Sequence, residues 1–87
     1  MDVVWSQGAR SDFESILHQL IDVRRPDAYH LCAAIDEHVA RLGELPYTGS
    51  IGRVTATREF PLPDQPYVVV YTVKPDHVYV LRLLPQA

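Results

Sequence analysis

Tyr67-Val68-Val69-Val70-Tyr71-Thr72-Val73, then Lys74-Pro75-Asp76-His77, then Val78-Tyr79-Val80-Leu81-Arg82-Leu83-Leu84 is the stretch that decides how this chain folds. The two outer runs are built from β-branched and aromatic side chains, which fit the pleated surface of a sheet. Between them Pro75 has the fixed φ that the second position of a tight turn needs, and Asp76 suits the turn as well. The stretch therefore reads as an antiparallel hairpin. Upstream, Thr57–Phe60 reads as a further short strand, set off from the hairpin by Pro61, Pro63-Asp64 and Pro66.

Further back the period changes. After the β-prone Val3-Val4-Trp5, Ser6 is a good helix N-cap, and Ala9, Phe13, Ile16, Leu17, Leu20 and Ile21 recur at three- and four-residue steps. That stripe predicts a helix ending near Val23. Pro26 fits the first position of a second helix, Asp27 favours its N-terminus through the helix dipole, and Ala28, Leu31, Cys32, Ile35, Val39 and Leu42 form its stripe up to a stop at Gly43. The order β-α-α-β-β-β, in one domain spanning residues 1–87, predicts a two-layer α+β fold. An antiparallel helix hairpin packs on one face of a mainly antiparallel four-stranded sheet. Alternating chain directions through these elements predict that the first strand pairs antiparallel with the last.

Both long strands are apolar on both parities. Tyr67, Val69, Tyr71 and Val73 oppose Val68, Val70 and Thr72, while Tyr79, Leu81 and Leu83 oppose Val78, Val80, Arg82 and Leu84. Two helices cover one sheet face, so the other is expected to show apolar side chains to water or to a partner. High β-propensity alone also yields strands that are apolar on both faces. If Leu81 and Leu83 face the helices, Arg82 faces the open side, where Arg58 can join it. Two arginines so placed can hold a phosphate or an acidic segment. The alternative is an ordinary ion pair, with Glu59 or Asp76.

The charge is −3 overall, negative through residue 50 and slightly positive beyond it. An acidic chain is a poor general binder of nucleic acid, since phosphate contacts need Lys or Arg, and no sequence-specific nucleic-acid binding is expected. No apolar run approaches the length of a membrane span, and the first residues lack the order of a signal peptide; the cytoplasm is the expected location. The single cysteine, Cys32, lies on the apolar stripe of the second helix and reads as core. His30 and His38 share a helix face but Cys32 does not, and no HExxH, CxxC, Gly-x-Ser-x-Gly or phosphate-loop pattern occurs, so no metal, cofactor or catalytic residues are expected.

The chain resembles the ParE/RelE toxins of type II toxin–antitoxin modules, the ParE branch most closely. The residues that carry the resemblance begin with Val4-Trp5-Ser6, Ala9, Asp12-Phe13 and Ile16. Arg25-Pro26-Asp27-Ala28, Ile35-Asp36, Val39 and Arg41-Leu42 continue it through the second helix. Leu45-Pro46, Gly52-Arg53 and Thr57-Arg58-Glu59-Phe60 follow, then Pro66 to Tyr71 and Val80 to Leu84. The resemblance implies a plasmid-stabilisation type of toxin, a cognate antitoxin that wraps over it, and inhibition of DNA gyrase by binding. RelE-type members instead cleave mRNA on the ribosome, using sheet arginines, which map onto Arg58 and Arg82, and a C-terminal His or Tyr. This chain reads Pro85-Gln86-Ala87 after Leu84. Acid–base cleavage needs positioned proton donors and acceptors, so the nuclease reading is an alternative, as is a non-toxic member that only binds antitoxin. The contacts to target or antitoxin are expected from the arginines Arg53, Arg58 and Arg82, with Tyr71, Val78, Val80 and Leu84 as their apolar neighbours.

Overall fold

Ser6 joins the first strand to the first helix and ties both to the far end of the chain. The computed structural model describes residues 1–86. Strand β1 (Asp2–Trp5) leads through Ser6 into α1 (Gln7–Asp22). The Ser6 hydroxyl accepts the Ala9 N–H at 3.0 Å and donates to the Leu81 carbonyl at 2.8 Å. One side chain thus satisfies a helix-end donor and fixes α1 beside the last strand.

Helix α1 stops in a Schellman turn, with the Arg25 N–H on the Leu20 carbonyl and the Arg24 N–H on the Ile21 carbonyl, both at 2.9 Å. Arg24 occupies the left-handed position of that turn, at φ 59°. A β-carbon there is disfavoured by about 1 kcal/mol or more, so Arg24→Gly is expected to raise stability by about that amount in urea unfolding. An unchanged midpoint would mean that the turn bears no strain.

Helix α2 (Ala28–Ala40) begins two residues after Pro26, which therefore precedes the helix instead of occupying its first position. Asp27 is the N-cap residue but makes no side-chain cap bond; both its carboxylate oxygens accept from the Arg25 guanidinium, at 3.0 and 2.9 Å. The helix tightens into a 3₁₀ turn at Arg41–Gly43. Gly43 serves a different purpose from the left-handed stop expected of it, because its φ is not positive. A β-carbon there would overlap the Met1 carbonyl oxygen, so glycine permits the close approach of the chain leading into β1.

The sheet contains β2 (Ser50–Ile51), β3 (Arg58–Pro61), β4 (Tyr67–Val73) and β5 (His77–Pro85), in the order β1-β5-β4-β3-β2. It has five strands rather than four, and β1 runs parallel to β5 rather than antiparallel. The two corrections have one cause. The two-residue β2 adds a reversal of direction between α2 and β3, so the three antiparallel pairings that follow bring β5 back to the direction of β1.

One sheet face packs on the helices. Val69, Tyr71, Val78, Val80 and Leu83 meet Ala9, Ile16, Cys32, Ile35 and Val39 there, with Trp5, Phe13, Phe60 and Tyr67 closing the margins. Cys32 is buried, as its place on the helical stripe predicts. A bulge shifts the β4–β5 register, pairing Tyr71 with Val80 but Val70 with Arg82. Leu81 is the extra residue. Val78 and Val80 therefore point inward with Leu83, whereas the sequence parity had grouped them with Arg82 and Leu84. On the opposite face Val4 and Leu84 are exposed, and Val68, Val70 and Tyr79 are half-buried. No described helix is long and apolar enough to cross a membrane.

Candidate functional site

The residues singled out from the sequence fall into three places. Tyr71, Val78 and Val80 lie fully buried in the core. They support the sheet and cannot touch a partner, which corrects their assignment as contacts. Leu84 and Arg82 lie near the end of β5, and Arg53 and Arg58 lie at the other side of the sheet, with β4 between the two groups.

Arg82 takes its register position opposite Val70, but its guanidinium does not stand on the open face. Strand β1 ends at Trp5, which pairs with Val80, so beyond the Ser6 bond to Leu81 no strand pairs with this edge of β5. Asp12 of α1 occupies that edge. Its carboxylate accepts from Arg82 Nε at 2.7 Å, from the Arg82 terminal nitrogen at 3.1 Å and from the Leu83 N–H at 2.9 Å. Partial burial opposes ionisation of Asp12, but the bonds from Arg82 and Leu83 and the Arg82 charge outweigh it and hold its pKa below the ordinary aspartate value. The ion-pair alternative is thus the one realised, with Asp12 as partner instead of Glu59 or Asp76. Residue spacing gave no means of finding Asp12, which is 70 positions away.

Arg58 pairs in register with Tyr71 and so lies on the helix-side face of the sheet. At this position the loop from Pro46 to Gly49 packs against it. Tyr71 organises that loop, donating its O–H to the Pro46 carbonyl at 2.7 Å and accepting the Gly49 N–H at 2.8 Å. Arg58 donates to the Gly49 carbonyl at 2.7 Å and stacks over the Tyr47 ring, 4.9 Å from its centroid. Arg53 is largely exposed; its backbone N–H bonds Glu59 at 3.0 Å, and its side chain approaches the same carboxylate at 3.8 Å. The expected pair of sheet arginines on one open face is therefore not assembled.

What the fold does assemble at Arg58 is a shallow depression of about 310 Å³, lined by Tyr47, Ile51, Ala56, Thr57, Thr72 and Val73 as well. Tyr47, Ile51 and, nearby, Val54 are all strongly exposed. A second depression of about 300 Å³ lies where α1 meets α2, between Trp5, Arg10, Phe13, Glu14 and Asp36. There the Trp5 and Phe13 rings meet edge to face, 5.5 Å apart. Among the described residues no group of His, Cys, Asp and Glu has the makings of a metal site.

A comparison with curated proteins finds none that matches. A solved structure described as the chromosomal ParDE TA system from P. aeruginosa has the same fold, with a TM-score of 0.90 over 100% of this chain and 97% of that one, at 22% identity. The family model described as ParE toxin of type II toxin-antitoxin system, parDE, matches residues 3–87. Spanning nearly the whole sheet-and-hairpin fold, that match places the chain in the ParE toxin family of type II toxin–antitoxin systems.

Proposed function

We propose that this toxin binds DNA gyrase and inhibits it without catalysing a reaction of its own, and that a cognate antitoxin neutralises it by binding. Family membership across residues 3–87 is the observation that carries this reading. The geometry is compatible with it in two ways. Arg58 and Arg82 are separated by β4 and held by Gly49 and Asp12 respectively, which favours binding over cleavage of a phosphate clamped between two arginines. The open sheet face, with Val4, Val68, Val70 and Leu84, offers apolar surface of the kind that proteins bury against one another.

A supercoiling assay tests the proposal. Purified toxin added to gyrase is expected to abolish supercoiling and to accumulate cleaved DNA, and equimolar antitoxin is expected to restore activity. Intact supercoiling accompanied by fragmented mRNA would replace the reading with ribosome-dependent cleavage. Intact supercoiling with tight antitoxin binding would leave a family member that only binds its antitoxin.

A further inference from the structure

Among the described residues Arg58 is the one arginine that is not exposed, and it has no carboxylate within ion-pair distance. Arg25, Arg53 and Arg82 each have such a partner, and each is exposed to water. A partly desolvated cation whose partners are one carbonyl and one ring face has lost part of its hydration with no opposite charge to offset it. The surroundings of Arg58 are equally incomplete. Ile51 is 84% exposed in a two-residue edge strand, and Tyr47 and Val54 are 65% and 66% exposed. The far wall is fixed, since Ala56 holds a left-handed conformation at φ 65° and its carbonyl accepts the Thr72 hydroxyl at 2.7 Å. A half-buried guanidinium with free donors, set among exposed apolar side chains, suits a carboxylate flanked by apolar residues.

We propose that this corner anchors an acidic, apolar-flanked segment of the antitoxin, with Arg58 receiving its carboxylate and Tyr47 and Ile51 receiving the neighbouring side chains. The proposal rests on the reading above that an antitoxin binds this chain. A polyphosphate is the poorer occupant: the protein carries a charge of −3, and exposed isoleucine and valine offer a nucleic-acid backbone nothing. A peptide carboxylate needs one cation and an apolar rim, and both are present.

The experiment is calorimetric titration of the purified antitoxin into wild-type toxin, Arg58→Glu and Ile51→Asp, at low and high salt. Arg58→Glu is expected to weaken binding by about 100-fold, and Ile51→Asp by about 10-fold, through repulsion and lost apolar contact. Arg58→Glu is also expected to lower the salt dependence of what binding remains. Ile51→Asp guards against a folding artefact, because so exposed a side chain supports nothing within the chain. Charge reversal of one antitoxin carboxylate to Arg is expected to restore affinity for Arg58→Glu. Equal antitoxin affinity for wild type and both variants would overturn the assignment while leaving the antitoxin reading intact. Failure of the wild type itself to bind would overturn both. Unchanged antitoxin binding by Ile51→Asp together with lost gyrase inhibition would move the corner to the target instead. Binding of a short single-stranded oligonucleotide that Arg58→Glu abolishes would also sink the proposal.

Discussion

Tyr71→Phe is expected to lose about 2–4 kcal/mol of folding stability, although it removes one oxygen atom and leaves the ring in place. The ring sits in the core with no exposure, and Phe fills the same space. The cost arises in the loop. The hydroxyl is both donor to the Pro46 carbonyl and acceptor of the Gly49 N–H, so its loss leaves the buried Gly49 N–H unpaired and turns the part-buried Pro46 carbonyl over to water. A buried group costs roughly 1–3 kcal/mol when left unpaired, and one that water partly reaches costs less. In a domain whose total stability is on the order of 5–15 kcal/mol, that is a large share. Arg58 donates to the Gly49 carbonyl, so a loosened loop also releases the guanidinium.

The pH dependence gives a second readout. Burial pushes the Tyr71 phenol up, only partly offset by the Gly49 N–H and the Arg58 charge. A folded-state pKa raised above the unfolded value means that the contribution is complete below about pH 10 and is lost as pH rises through the folded pKa. Wild type is therefore expected to lose stability at alkaline pH more steeply than the Phe variant. Urea unfolding at pH 7 and at pH 11 measures both effects. A loss below about 0.5 kcal/mol at neutral pH, or parallel pH profiles, would show that other donors and acceptors satisfy the loop.

Much of this fold could be read from the chain because local signals agreed with the tertiary result. The α1 stripe from Ala9 to Ile21, the Ser6 cap and the Pro75-Asp76 turn each specify one local conformation, and the structure adopts all of them. The misreadings have physical causes of their own. Strand β5 is apolar on both parities, so alternation carried no information about its facing, and nothing in Val80-Leu81-Arg82 marks the bulge that reverses it. Strand β2 is too short to show any period, yet its reversal of direction decides that β1 and β5 are parallel. The site was legible in part. Arginine composition pointed to Arg58 and Arg82, but the exposed Tyr47 and Ile51 beside Arg58 lie in loop-like text where no periodicity separates a contact from a connection. An ion pair between residues 12 and 82 depends on where a strand edge ends, which sequence spacing does not encode.

That edge gives the second large effect. Asp12→Ala is expected to cost about 1–3 kcal/mol, because it leaves the Leu83 N–H without an acceptor at a sheet edge that α1 covers. Arg82→Ala is expected to cost much less. Its guanidinium remains open to solvent, where an ion pair is screened, and without it Asp12 keeps the backbone bond to Leu83. The two substitutions thus separate the edge cap from the salt bridge. Asp12→Asn should fall between them, since an amide oxygen can accept from Leu83 but cannot complete the charge pair with Arg82. The acid side supplies a further check. Because the folded-state pKa of Asp12 lies below the ordinary value, its ionised form contributes fully above about pH 4, and the contribution is lost as pH falls through the folded pKa. The gap between wild type and Asp12→Asn should therefore be widest near neutrality and close in strong acid. If Arg82→Ala proves as damaging as Asp12→Ala, the pair rather than the backbone cap joins α1 to β5. If neither matters, the Ser6 bond to Leu81 is enough to hold that junction on its own.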